Sequence, residues 1–106
     1  MMSEKLQEIH PGKVLSEDFV RPMGLTIKRL AANIGVPVGR IRDIVNGHKP
    51  ITIDTAARLA VFFDMEVRFW LNLQTEYDLR VMERELMPKI KPLIRPLKYD
   101  AKTEIT

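Results

Sequence analysis

The sequence predicts an all-α fold of five helices. Apolar residues recur at spacings of three and four through most of the chain, and capping or helix-breaking residues separate these stripes. No segment sustains the period-two alternation of a half-buried strand except Lys89 to Leu97, and prolines interrupt that one.

Each element follows from these signals. Residues 1–10 show no period and read as an N-terminal arm. Pro11 suits a first helical turn, and Val14, Leu15 and Phe19 form a short apolar stripe, so a helix is expected near 12–20, closed by Pro22 and Gly24. Thr26 is a candidate N-cap for a second helix carrying Ile27, Leu30, Ala31 and Ile34, which Gly35 stops. Pro37 opens a third helix with Val38, Ile41, Ile44 and Val45 on its inner face, ended by Asn46-Gly47, and Pro50 enforces the break. Thr52 is the next candidate cap, ahead of Ala56, Leu59, Ala60 and Phe63. A longer helix over about 67–86 carries Val67, Trp70, Leu71, Leu73, Tyr77 and Val81. Prolines at 88, 92 and 96 predict an extended or irregular basic tail over 87–106, leaving 11–86 as the folded domain.

Composition narrows the function classes. The 106 residues suffice for one core, and 45% hydrophobic content argues against wholesale disorder. The absence of cysteine excludes disulfides and thiolate zinc sites. No apolar run approaches the roughly 20 residues of a membrane span, and the N-terminus lacks the apolar core of an export signal, so a cytoplasmic protein without a membrane partner is expected. The net charge of +3 is modest, but its distribution is uneven. Between Thr26 and Lys49 stand Lys28, Arg29, Arg40, Arg42 and Lys49 against the single acid Asp43, whereas Glu66 to Glu85 is acid-rich by comparison.

That basic stretch coincides with the most informative spacing. A small residue at Ala31 lets two helices cross closely, Gly35 supplies the backbone of a tight turn, and Ile41 plugs the following helix into the preceding one. The outer face then presents Val38, Gly39, Arg40, Arg42, Asp43 and Asn46. A helix-turn-helix of this kind fits the DNA major groove, where Arg40 or Arg42 would pair with guanine; Thr26, Lys28, Asn46 and Lys49 are placed for the phosphate backbone. Two helices joined by a glycine turn also occur in domains that bind no nucleic acid, and Arg40 and Arg42 would there be ordinary solvated residues.

The segment from His10 to Glu85 resembles the HigA-type antitoxins, a branch of the phage-repressor-like (XRE/Cro) helix-turn-helix family. The resemblance rests on His10-Pro11-Gly12, Pro22-Met23-Gly24-Leu25, and Gly35-Val36-Pro37 with Arg40-Ile41. It continues through Ile44-Val45-Asn46-Gly47, Ile51-Thr52-Ile53-Asp54-Thr55-Ala56, Phe69-Trp70-Leu71-Asn72-Leu73-Gln74 and Tyr77-Asp78-Leu79-Arg80. It implies a lambda-repressor-like domain that acts as a homodimer, represses its own operon at a palindromic operator and neutralises a HigB-like toxin that cleaves messenger RNA. It also implies DNA contact at Thr26, Lys28, Val38, Arg40, Arg42, Asn46 and Lys49. Two departures matter: Ile27 stands where relatives often keep a polar contact residue, and Gly39 where many keep a larger side chain.

Other residues point elsewhere only weakly. Trp70 would serve a partner surface or, more usually, packing between the last two helices. A dimer interface is expected from Tyr77, Val81 and Met82 with the following tail, because one helix-turn-helix covers few base pairs. His10 and His48 lack a second histidine at helical spacing, and Glu17 and Asp18 point about 100° apart on a helix, so neither a metal site nor a catalytic pair is expected. There is no phosphate-binding glycine loop and no cysteine or Gly-x-Ser-x-Gly nucleophile, so neither an enzyme nor a cofactor is anticipated. In the tail, Lys89, Lys91, Arg95, Lys98 and Lys102 suit an arm on phosphates; Ile90, Leu93, Ile94 and Leu97 suit strand addition to a partner; a solvated end is the third reading. A solitary regulator without a toxin, and an interaction module that binds no DNA, stand as alternatives.

Overall fold

The computed structural model describes residues 9–98; the expectations for 1–8 and 99–106 lie outside them. Among the described residues there are five helices and no strand. Helix α1 runs as Pro11–Val14 and continues in a wider π-type turn, Leu15–Val20. Helices α2 (Ile27–Ile34), α3 (Val38–Val45) and α4 (Ile53–Phe63) follow, and α5 spans Val67–Val81. None is long and apolar enough to cross a membrane.

The caps fall where the side chains suggested. Thr26 Oγ1 accepts from the Arg29 N–H at 3.0 Å, and Thr52 Oγ1 from the Thr55 N–H at 3.3 Å, each satisfying one orphan donor of a first turn. The stripes converge on one core of Leu15, Leu30, Ala31, Ile41, Ile44, Ala56, Leu59 and Trp70. Trp70 is fully buried, with Phe19 and Phe69 ring centroids 4.9 and 5.0 Å away, so its role is packing.

The helical path does not stop at residue 86. Beyond Val81 it continues as a π-type turn, Met82–Leu86, then Met87–Ile90 and a short 3₁₀ turn, Lys91–Leu93; extended backbone begins at Ile94. Pro88 is tolerated because the turn before it is widened. The Met87 N–H reaches back five residues to Met82 O, which relieves the crowding a proline ring imposes on an α-helical carbonyl four residues earlier. Pro22 repeats the device. The Arg21 N–H bonds Ser16 O, again five residues back, before the chain turns out of α1 through Gly24.

Candidate nucleic-acid interface

The α2–α3 pair is built by local rules. Gly35 adopts a left-handed φ of 73°. Its N–H bonds Ala32 O while the Val36 N–H bonds Ala31 O, closing the last turn of α2 and burying Val36 against Ala31. Pro37 then directs the chain into α3, where Ile41 and Ile44 are almost wholly buried against Leu30 and Ala31. The remaining circumference of α3 faces outward.

The far end of α3 is seated by close approach. A Cβ on Gly12 would collide with the Ile44 carbonyl, so α1 meets the α3 backbone directly and only glycine fits. His10 caps α1: its Nδ1 accepts from the Gly12 N–H at 2.9 Å, and its ring stands edge-on to Tyr77 of α5 at 4.8 Å between centroids. Burial holds the His10 pKa below the usual imidazole value, with Asp78 partly offsetting that depression. In the sequence His10 is marked only by its place in the His10-Pro11-Gly12 motif and by the lack of a second histidine at helical spacing. The structure makes it the joint between α1 and α5.

The loop after α3 is tied from a distance. His48 and Lys49 N–H groups both bond Asp43 O, and the buried Ile51 N–H donates to Gln74 Oε1 at 2.8 Å. Gln74 Nε2 donates in turn to Asp78 Oδ1 at 2.9 Å. Gln74 is buried and hydrogen-bonded on both sides of its amide, so it is the polar anchor of this loop. In the sequence Gln74 stands only as the end of the Phe69–Gln74 block, and nothing local sets it apart from the other polar residues of α5.

The structure distributes the expected contact residues over several elements. Thr26 and Lys28 are exposed at the start of α2. On α3, Arg40, Arg42 and Asn46 are exposed, but Val38 is half-buried and packs against the core. Arg40 and Arg42, two residues apart on a helix, project about 200° apart and therefore flank the outer face on opposite sides. Gly39 lies between them, with open space where a Cβ would be. Arg40 and Lys49 line one recess of about 420 Å³ with Asp43 and Asp54.

Arg40 is also engaged. Its Nη1 donates to Asp54 Oδ2 at 3.1 Å, and the same oxygen accepts from Arg58 Nε at 3.0 Å. Arg58 Nη1 reaches the Ile34 and Gly35 carbonyls at 2.8 and 3.3 Å, clasping the end of α2. Asp54 and Arg58 were not singled out from the sequence, although their four-residue spacing at the start of a helix is the signature of an ion pair. Tyr77, Val81 and Met82 line a separate recess of about 390 Å³ on α5 and its extension, beside Asp78 and Glu85. Tyr77 is half-buried there behind His10. Among the described residues no group of three or more His, Asp or Glu side chains could hold a metal.

Known proteins share both the sequence and the shape. A helix-turn-helix family model matches residues 19–70. Virulence-associated protein I of Dichelobacter nodosus is 40% identical over 92% of this chain and 89% of its own. Antitoxin HigA-1 of Vibrio cholerae is 33% identical over 97% of this chain and the whole of its own length. The solved structure of Pseudomonas aeruginosa antitoxin HigA with the higBA promoter superimposes with a TM-score of 0.81 at 34% identity, covering 86% of this chain and 99% of that one. Turn, caps, core and these relatives agree: the chain belongs to the HigA-type antitoxins of the XRE helix-turn-helix family, a group of DNA-binding proteins and not a class of enzymes.

Proposed function

We propose that this protein acts as a homodimer that represses its own operon at a palindromic operator and neutralises a HigB-like toxin. The observation that carries the DNA part is the exposed outer face of α3, with Arg40 and Arg42 on its flanks and Asn46 at its end, held rigidly by Gly12, Gly35 and Ile41 beneath it. The relative bound to the higBA promoter supports the same use of this unit. Arg42 and Arg40 supply base readout, and Thr26, Lys28, Asn46 and Lys49 supply phosphate contacts. Val38, partly committed to the core, contributes at most an apolar contact.

The dimer is assigned to α5 and its extension. Tyr77, Val81, Met82 and Leu86 line a recess there with Asp78, Glu85 and Lys89 at its edges, and Leu79 is exposed nearby. A dimer through this surface serves operator binding if it sets two recognition helices about 34 Å apart, the spacing of two half-sites one helical turn apart. Neutralisation of a toxin rests on kinship with named antitoxins.

A mobility shift with the DNA just upstream of the protein's own gene, run across a salt series, tests the reading. Specific binding that weakens steeply with salt, by a particle of twice the monomer mass in light scattering, is expected. Adding the neighbouring gene product then distinguishes an antitoxin from a solitary regulator, for only an antitoxin forms a complex that silences a ribonuclease. A folded protein that ignores this DNA would instead be an interaction module.

A further inference from the structure

We propose that Asp54 is a positioning residue for Arg40 that directs its guanidinium to a base edge and away from the phosphate backbone; this rests on the DNA-binding reading above. Asp54 makes no contact with DNA in this scheme. It acts through Arg40, and Arg58 holds it in place.

The geometry is a three-part brace. Asp54 Oδ2 accepts from Arg40 Nη1 at 3.1 Å and from Arg58 Nε at 3.0 Å. Arg58 is anchored a second time on the Ile34 and Gly35 carbonyls, at the turn that sets the angle between α2 and α3. The carboxylate is thus fixed from the side of the turn, and Arg40 is fixed to the carboxylate. All three side chains are about half exposed, so the ion pairs contribute little to folding stability. Their consequence is geometric.

An unrestrained arginine on this face would find the nearest phosphate, because its long side chain sweeps a wide arc and phosphates surround the groove. With Nη1 held by Asp54, Arg40 retains its Nε–Nη2 edge, a pair of parallel donors that matches guanine O6 and N7. The Asp54 charge also repels backbone phosphate and leaves the Arg40–Asp54–Arg58 trio at a net charge of only +1. Arg42, on the opposite flank of α3, has no such partner among the described hydrogen bonds and ion pairs.

The inference separates affinity from specificity. Asp54→Asn and Asp54→Ser, both suited to a first helical turn, are compared with the unsubstituted protein on a duplex from upstream of its own gene and on a scrambled duplex of equal composition. Affinity for the upstream duplex is expected to fall and affinity for the scrambled duplex to rise, so that the ratio drops about tenfold. The salt slope on scrambled DNA is expected to steepen by about 1.8 per dimer, about 0.9 for each Arg40 that moves to a phosphate. In an Arg40→Ala background the same Asp54 substitutions should leave the ratio unchanged. A ratio that stays within about twofold in both variants, or one that falls equally without Arg40, overturns the proposal. If the unsubstituted protein makes no specific shift, the DNA-binding reading itself is wrong and this proposal falls with it; a specific shift indifferent to Asp54 removes the proposal alone.

Discussion

The two turns that flank the recognition helix are made in different ways. The turn before α3 is assembled from neighbours in sequence: Gly35 in the left-handed region, Val36 bonding back to Ala31, and Pro37 directing the chain onward. The loop after α3 folds back locally, with the His48 and Lys49 N–H groups on Asp43 O, but is seated by groups remote in sequence. Gln74 of α5 takes the Ile51 N–H, and the α1 backbone at Gly12 presses against Ile44. The first turn sets the angle of the helix-turn-helix, and the second seats α3 on the body of the domain. The contrast places stability and recognition on different residues. The supports behind α3 are buried and intolerant, whereas its outer face is solvated and open to change.

That contrast can be broken most sharply at Gly12. Gly12→Ala drives a methyl group into the Ile44 carbonyl and is expected to destabilise the fold by about 3 kcal/mol or more, read by urea denaturation. A loss below about 0.5 kcal/mol would mean that α1 yields easily and is no rigid seat. Gln74→Met keeps side-chain bulk but strands the buried Ile51 N–H, for an expected loss of about 1–3 kcal/mol on the same assay.

His10→Ala removes both the cap of α1 and the edge-on contact with Tyr77, with an expected loss of about 1–2 kcal/mol. Its pH dependence has a definite sign. Burial lowers the folded-state pKa below 6.5, so the unfolded chain binds more protons between the two values. The stability contributed by neutral His10 is complete above about pH 6.5 and declines as pH falls through the window toward the folded-state value. His10→Asn, which can still cap, should flatten that decline in melting curves taken from pH 7.5 to 5. An unaltered slope would locate the titration elsewhere.

The smallest effect belongs to the outer face. Gly39→Ala meets open space in the first turn of α3 and should stabilise the protein by up to about 0.5 kcal/mol. A stabilised variant with weakened DNA binding would show that the glycine serves close approach of the α3 backbone to the groove.

Much of this was legible in sequence because it is local. Thr26, Gly35, Pro37 and Thr52 act on backbone within a few residues of themselves, and the apolar stripes identify the core faces that Leu30, Ile41, Leu59 and Trp70 fill. The path beyond Pro88 was not legible, since a proline ends a regular α-helix but passes through one whose preceding turn is widened. Of the candidate site, the residue identities were readable and their arrangement was not. Helical spacing places Arg40 and Arg42 on opposite flanks, but nothing in their spacing tells that Arg40 meets Asp54, fourteen residues on, or that Gln74 holds Ile51 across twenty-three.

The sequence by itself determined the helices, their caps and the glycine turn, because backbone propensity, capping and periodic burial are decided within one or two turns of chain. Tertiary structure alone decided which distant side chains meet: His10 with Tyr77, Gln74 with the Ile51 backbone, and Arg40 with Asp54. The physical reason is range. A hydrogen bond or ion pair acts over about 3 Å, and only the packing of the apolar faces brings distant parts of the chain that close.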